Sequence, residues 1–130
     1  RDQPALVPKG SMRAMVWNCQ GARSPLTIPY LKEVNSLLSL NMIFLSETKN
    51  KTKYMEKIKS ILNFDHCFVI DAMNRTGGMT LMWKEKTKVK DIKHSAFTIE
   101  VLIEDEEVKQ EWWLIGSYAS CDNQLRNYQW

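Results

Sequence analysis

Met42-Ile43-Phe44-Leu45-Ser46-Glu47-Thr48-Lys49 is the stretch on which the reading of this chain turns. Its first five residues are a short apolar run, the pattern of a strand buried on both faces. A carboxylate, Glu47, follows at the carboxyl end of that run. A carboxylate beside a buried run is ordinarily partnered, either by a metal or by the neighbouring Lys49.

The pattern extends outward in both directions. Upstream, residues 27 to 40 carry Ile28, Leu31, Val34, Leu37 and Leu38 at helical spacing. Thr27 is the expected N-cap, Pro29 falls in the first turn, and Asn41 is the expected stop. Met12 to Cys19 reads as a strand around Met15, Val16 and Trp17, and Gly21 to Pro25 reads as a turn. Downstream, residues 51 to 62 form a second amphipathic helix. Tyr54, Met55, Ile58, Ile61 and Leu62 share its apolar side, and Lys51, Lys53, Lys57 and Lys59 lie off it. Asp65 to Ile70 and Met79 to Trp83 are strands flanking a turn at Asn74 to Gly78. Thr98 to Ile103 and Trp112 to Tyr118 are strands joined through an acidic tip, Asp105-Glu106-Glu107. Asn123 to Trp130 reads as the start of a helix. The order β-α-β-α-β, then mostly strands, predicts an α/β fold, with parallel crossovers first and antiparallel hairpins after. Trp112 and Trp113 point one ring to each face of their strand, so both faces should be covered.

A length of 130 residues holds one domain, and 44% hydrophobic with 25% charged residues is ordinary for a soluble globular chain. No apolar run reaches bilayer length and no signal peptide opens the chain, so the expectation is a non-membrane protein of the nucleus or cytoplasm. Leu6 to Ser11 is one substitution from the thrombin linker Leu-Val-Pro-Arg-Gly-Ser, and Met12 follows as a natural start. Residues 1 to 12 are therefore set aside as an expression-tag remnant and 13 to 130 taken as the domain. Setting aside Arg1, Lys9 and Asp2 lowers 18 basic and 15 acidic residues to 16 and 14, a net of +2. That balance neither demands nor forbids a nucleic-acid partner. Cys19, Cys67 and Cys121 are an odd number, widely spaced and without a CxxC, which argues against disulfides and a zinc site.

Three motifs occur in order on the expected elements: Trp17-Asn18-Cys19-Gln20-Gly21, Phe44-Leu45-Ser46-Glu47-Thr48-Lys49, and Gly77-Gly78 leading into Met79 to Trp83. With Gly116-Ser117-Tyr118, Arg126 and Trp130 they resemble the endonuclease/exonuclease/phosphatase family. Within it the set is most similar to the endonuclease domains of plant LINE-type (non-LTR) retrotransposons, related to apurinic/apyrimidinic endonucleases. The resemblance spans residues 13 to 130. It implies half of a four-layer α/β sandwich, a mixed sheet with flanking helices. It also implies magnesium-dependent cleavage of DNA, with Asn18 orienting a phosphate or water, Glu47 binding Mg2+, and Tyr118 over the scissile phosphate. A hard cation on a rigid carboxylate suits phosphodiester hydrolysis, and open α/β sheets gather ligands at the carboxyl ends of their strands.

The chain also departs from the family. The Asp-x-Asn and Ser-Asp-His elements that follow the tyrosine in such domains do not occur, Asp122-Asn123 has the wrong spacing, and Gln20 replaces an acidic residue found in some members. The expectation is a truncated, retrotransposon-derived remnant that does not cleave DNA and acts as a binding or interaction protein, with no tightly held metal. The alternative is a metal-dependent DNA endonuclease fragment completed elsewhere. Taken as residues alone, Asn18 is a turn-former and Tyr118 a packed aromatic. Lys49, Lys51 and Lys53 are the candidate, weak nucleic-acid contacts; the lysines of the second helix equally suit a solvated face. Lys84, Lys86, Lys88, Lys90 and Lys93 equally suit the blunting of a sheet edge. No aromatic is expected among the second-helix lysines. The apolar strands exceed what two helices hide, so a homodimer is the expected assembly, with a further protein partner open.

Overall fold

The run Met42–Ser46 becomes the central strand of a five-stranded sheet, and all five of its residues are buried. The computed structural model describes residues 4–9, 12–73, 77–95, 97–117 and 121–126, with Lys9 and 121–126 through their backbone alone. The elements are β1 (Ala5–Lys9), β2 (Met12–Asn18), α1 (Thr27–Leu38), β3 (Met42–Ser46), α2 (Thr52–Ile61), β4 (His66–Ile70), β5 (Met79–Trp83), β6 (Lys88–His94), β7 (Thr98–Asp105), β8 (Gln110–Ser117) and β9 (Cys121–Arg126). The first sheet has the order β1-β2-β3-β5-β4. Within it β2 and β3 are parallel across the α1 crossover, and the other pairs are antiparallel. The second sheet is an antiparallel meander, β6-β7-β8-β9. The fold is α/β, with helices on one face of a mixed sheet.

Strand alternation explains the layers. Met15, Trp17, Ile43, Leu45 and Met82 face the helices and pack with Leu31, Met55 and Ile58. Their neighbours Ala14, Met42, Phe44 and Leu81 face the second sheet and meet Ile99, Val101, Ile103, Trp112 and Leu114. Gly116 permits the closest approach: a Cβ there would lie 2.6 Å from the Phe44 ring. Trp112 is inside and Trp113 is buried on the opposite face, as their adjacency predicts.

The boundaries differ from expectation in four instructive places. Thr27 is the first helical residue rather than the N-cap; the capping position is Leu26, and the Thr27 hydroxyl donates to Gly21 O at 3.1 Å, tying helix to turn. Helix α1 ends at Leu38, before Asn41, because Ser39 turns left-handed and Asn35 Oδ1 accepts the Leu40 N–H. The helix expected from Asn123 is instead strand β9 through Arg126, held as the edge partner of β8; sheet pairing overrides weak local preference there. The segment that reads as a tag remnant supplies β1, which pairs along β2 and buries Val7 in the core between the sheets.

Strands β6 to β8 cover the face of the first sheet opposite the helices, the face through which a homodimer was expected to form. No helix among the described residues is long and apolar enough to cross a membrane.

Candidate nucleic-acid interface

Strands β2, β3 and β5 reach one edge in register, with Asn18 beside Ser46 and Ser46 beside Met79. Beyond that edge the chain stays tightly bonded. Gly21 N–H donates to Glu47 O and Ala22 N–H to Thr48 O, both at 2.8 Å. On the other side Thr48 N–H donates to Gly78 O at 3.2 Å and Lys49 N–H to Gly77 O at 2.8 Å. Glu47 to Lys49 are thus clamped between two loops. Three non-glycine residues here have left-handed backbone, Gln20 (φ 51°), Glu47 (50°) and Lys49 (57°), alongside Gly21, Gly77 and Gly78. Such conformations persist only where their surroundings over-determine them, and they gather at functional sites. Gly78 is obligatory: at φ 89° any Cβ would collide with Thr48 Oγ1.

Sequence-predicted site residues fall out differently. Glu47 is half-buried at the strand end, as expected. Asn18 is half-buried, and its Oδ1 accepts the Gln20 N–H at 3.2 Å, the turn-forming role. Tyr118 lies outside the described residues. Among the described residues no three of His, Cys, Asp and Glu come together. Glu47 is the one carboxylate that the described residues place at this strand end, an oxygen ligand of the hard type.

From Lys49 onward the chain lines a cleft of about 610 Å³, together with Arg23 and Ala72; its other lining residues are Asn50, Lys51, Lys53, Tyr54 and Lys57. It gathers the three predicted contacts, Lys49, Lys51 and Lys53, and adds two cations, Arg23 and Lys57. No carboxylate is among the described lining residues. Asp71, next to the lining residue Ala72, accepts the Thr52 N–H at 2.8 Å and its hydroxyl at 2.7 Å, capping α2 from the end of β4. Lys59 faces elsewhere and pairs with Glu56 at 3.2 Å. The expectation that no aromatic joins these lysines is corrected: the Tyr54 ring lines the cleft under the Arg23 guanidinium, 4.1 Å from carbon to centroid. Sequence reasoning also missed Arg23 and Asn50. The available signal was a basic residue in the turn just after Asn18, on the loop that Thr48 pins.

Titration is perturbed away from the cleft. Burial, then the hydrogen bond to Glu56, pushes the Cys67 thiol up to about 12. That bond, Cys67 Sγ to Glu56 Oε1 at 3.1 Å, in turn holds the Glu56 carboxyl below its ordinary value, with help from Lys59. Hydrogen bonds to Glu106 and Glu111 raise Lys88 and Lys90. No family model matches the chain, and a search of curated proteins finds no match.

Proposed function

We propose that this chain binds the sugar-phosphate backbone of nucleic acid through the cleft between the Gly21–Pro25 turn and the start of α2, on a scaffold derived from a retrotransposon endonuclease. The observation that carries the reading is five cations converging on one cleft without a lining carboxylate among the described residues. Phosphate binding releases condensed counterions, so affinity depends on such a local cluster more than on the net charge of +3. In this reading Arg23 anchors a phosphate and the lysines supply the field around it. The test is a fluorescence titration of duplex DNA across salt concentrations. Log affinity should fall linearly with log salt, with a slope of roughly −0.9 per phosphate contacted. Lys51→Gln and Lys53→Gln should each reduce that slope by about one. Salt-insensitive binding, or slopes untouched by both variants, would defeat the proposal.

A second reading, metal-dependent cleavage of DNA, is favoured by one observation, the clamped left-handed backbone that fixes Glu47 at the strand end. It needs ligands beyond the described residues, so no hydrolytic step is assigned. Magnesium-dependent nicking of supercoiled plasmid that disappears in Glu47→Ala would establish it. Self-association through the outer face of the second sheet, which carries the half-buried Leu102 and Ile115, is the corresponding proposal for assembly. Sedimentation equilibrium holding at the 15.2 kDa monomer mass across concentration would exclude it.

A further inference from the structure

We infer that Asn50 and Tyr54 are positioning residues that hold the Arg23 guanidinium ready for a phosphate, making Arg23 the fixed point of the cleft. The inference rests on the nucleic-acid reading of that cleft. An exposed arginine ordinarily samples many rotamers, and ordering it on binding weakens the contact it makes. Arg23 is already ordered. Its Nε–H donates to Asn50 Oδ1 at 2.8 Å, and its guanidinium lies over Tyr54. Both supports are themselves fixed. The Asn50 amide nitrogen donates to Thr48 O at 3.0 Å, so the amide cannot rotate, and Asn50 O accepts the Ala72 N–H at 3.0 Å. Tyr54 packs against the core between helices and sheet.

The geometry leaves a specific part of Arg23 unused. With Nε engaged, the two terminal nitrogens of the fork have no protein partner among the described residues. Those two donors, side by side in one plane, match two oxygens of one phosphate. Lys49, Lys51 and Lys53, by contrast, are exposed point charges on flexible stems. Tyr54 is then a seat and not a base-stacking platform, because one face carries the guanidinium and its body packs into the core. This division predicts that charge and geometry separate experimentally: lysines govern the salt slope, and the Arg23 assembly governs affinity at a constant slope.

The test titrates the full chain with labelled duplex and single-stranded DNA of the same sequence at several salt concentrations. Arg23→Lys keeps the charge and removes the fork. Duplex affinity should fall about tenfold with the salt slope unchanged. Tyr54→Leu and Asn50→Ala should lower affinity in the same way, and neither should add to the loss when combined with Arg23→Lys. Tyr54→Phe should bind like the parent. If Tyr54→Leu impairs folding, Asn50→Ala with Arg23→Lys carries the cycle alone. Arg23→Lys binding like the parent overturns the inference, as does additivity in the double variants. Loss confined to single strands in Tyr54→Leu overturns it too, by making Tyr54 a base platform. In each of those cases Lys51→Gln and Lys53→Gln still lower the slope and the cleft reading stands. If those two have no effect, the cleft reading fails and this inference falls with it.

Discussion

Two lysine-rich stretches look alike in the sequence and differ in the fold. Lys51, Lys53 and Lys57 flank or lie on α2, and Lys88, Lys90 and Lys93 lie on β6. The first set opens into a cleft with Arg23 and no lining carboxylate among the described residues. The second set is answered residue by residue. Lys88 pairs with Glu106, Lys90 pairs with Glu111 at 2.8 Å, and the Lys93 ammonium sits 5.0 Å from the Trp113 ring centre. Strand β6 is the edge of its sheet and carries a bulge between Val89 and Asp91, the arrangement that discourages edge-to-edge pairing. What separates the open basic cluster from the protected edge is therefore the placement of counter-charge. Counting lysines does not reveal it.

The largest effect should come from disturbing the scaffold behind one cluster only. Gly78→Ala forces a side chain into Thr48 at a left-handed position, and should cost about 2 kcal/mol or more in denaturant unfolding. It should also weaken DNA binding, because Thr48 and Lys49 are bonded to that loop. Unaltered stability would show that the clamp is softer than drawn. Next in size, removing two charges from each cluster should give unequal results. Lys51→Gln with Lys53→Gln should lower duplex affinity roughly tenfold at low salt, while Lys88→Gln with Lys90→Gln should change it less than about twofold. Equal losses in the two double variants would erase the distinction. Smaller still is the effect within α2 itself. Lys59, paired with Glu56, should tolerate Lys59→Gln with the salt slope intact.

The smallest effect is one of pH. Lys88 and Lys90 are raised above the ordinary 10.5 by Glu106 and Glu111. A raised lysine stabilises the fold fully below its unfolded value, and that contribution is lost as pH rises through the folded value. Melting of the parent should thus decline slightly faster above this region than melting of the Lys88→Gln, Lys90→Gln variant. Parallel curves would mean that these exposed pairs contribute nothing measurable.

Much of this was legible because burial writes itself into apolar spacing. The run at Met42–Ser46, the helix face through Met55 and Ile58, and the strand Met79–Trp83 all follow from periodicity, and so does the opposed pair Trp112 and Trp113. Strand β9 was not legible, since its six residues take their shape from the neighbour they pair with and not from their own preferences. The site divided along similar lines. Glu47 announces itself as a carboxylate ending a buried strand. Arg23 and Asn50 are 27 residues apart and meet only because the loops after β2 and β3 are pinned together. A juxtaposition made by main-chain bonds between distant loops leaves no periodic trace. The same holds for the second sheet folding over the first, which no local pattern distinguished from a bare face awaiting another copy.

Strand β1 has a practical corollary. A segment that reads as a removable linker has become the outer rail of the first sheet, and the register from Ala5 to Lys9 is imposed by β2. Among its described side chains the rail buries Val7, and it adds its main-chain bonds. Trimming the chain back to Met12 would strip those bonds from β2 and leave a raw, sticky margin of unpaired amides and carbonyls. Samples handled that way should be kept dilute, because the margin that now grips its own leader would accept any extended segment drifting past.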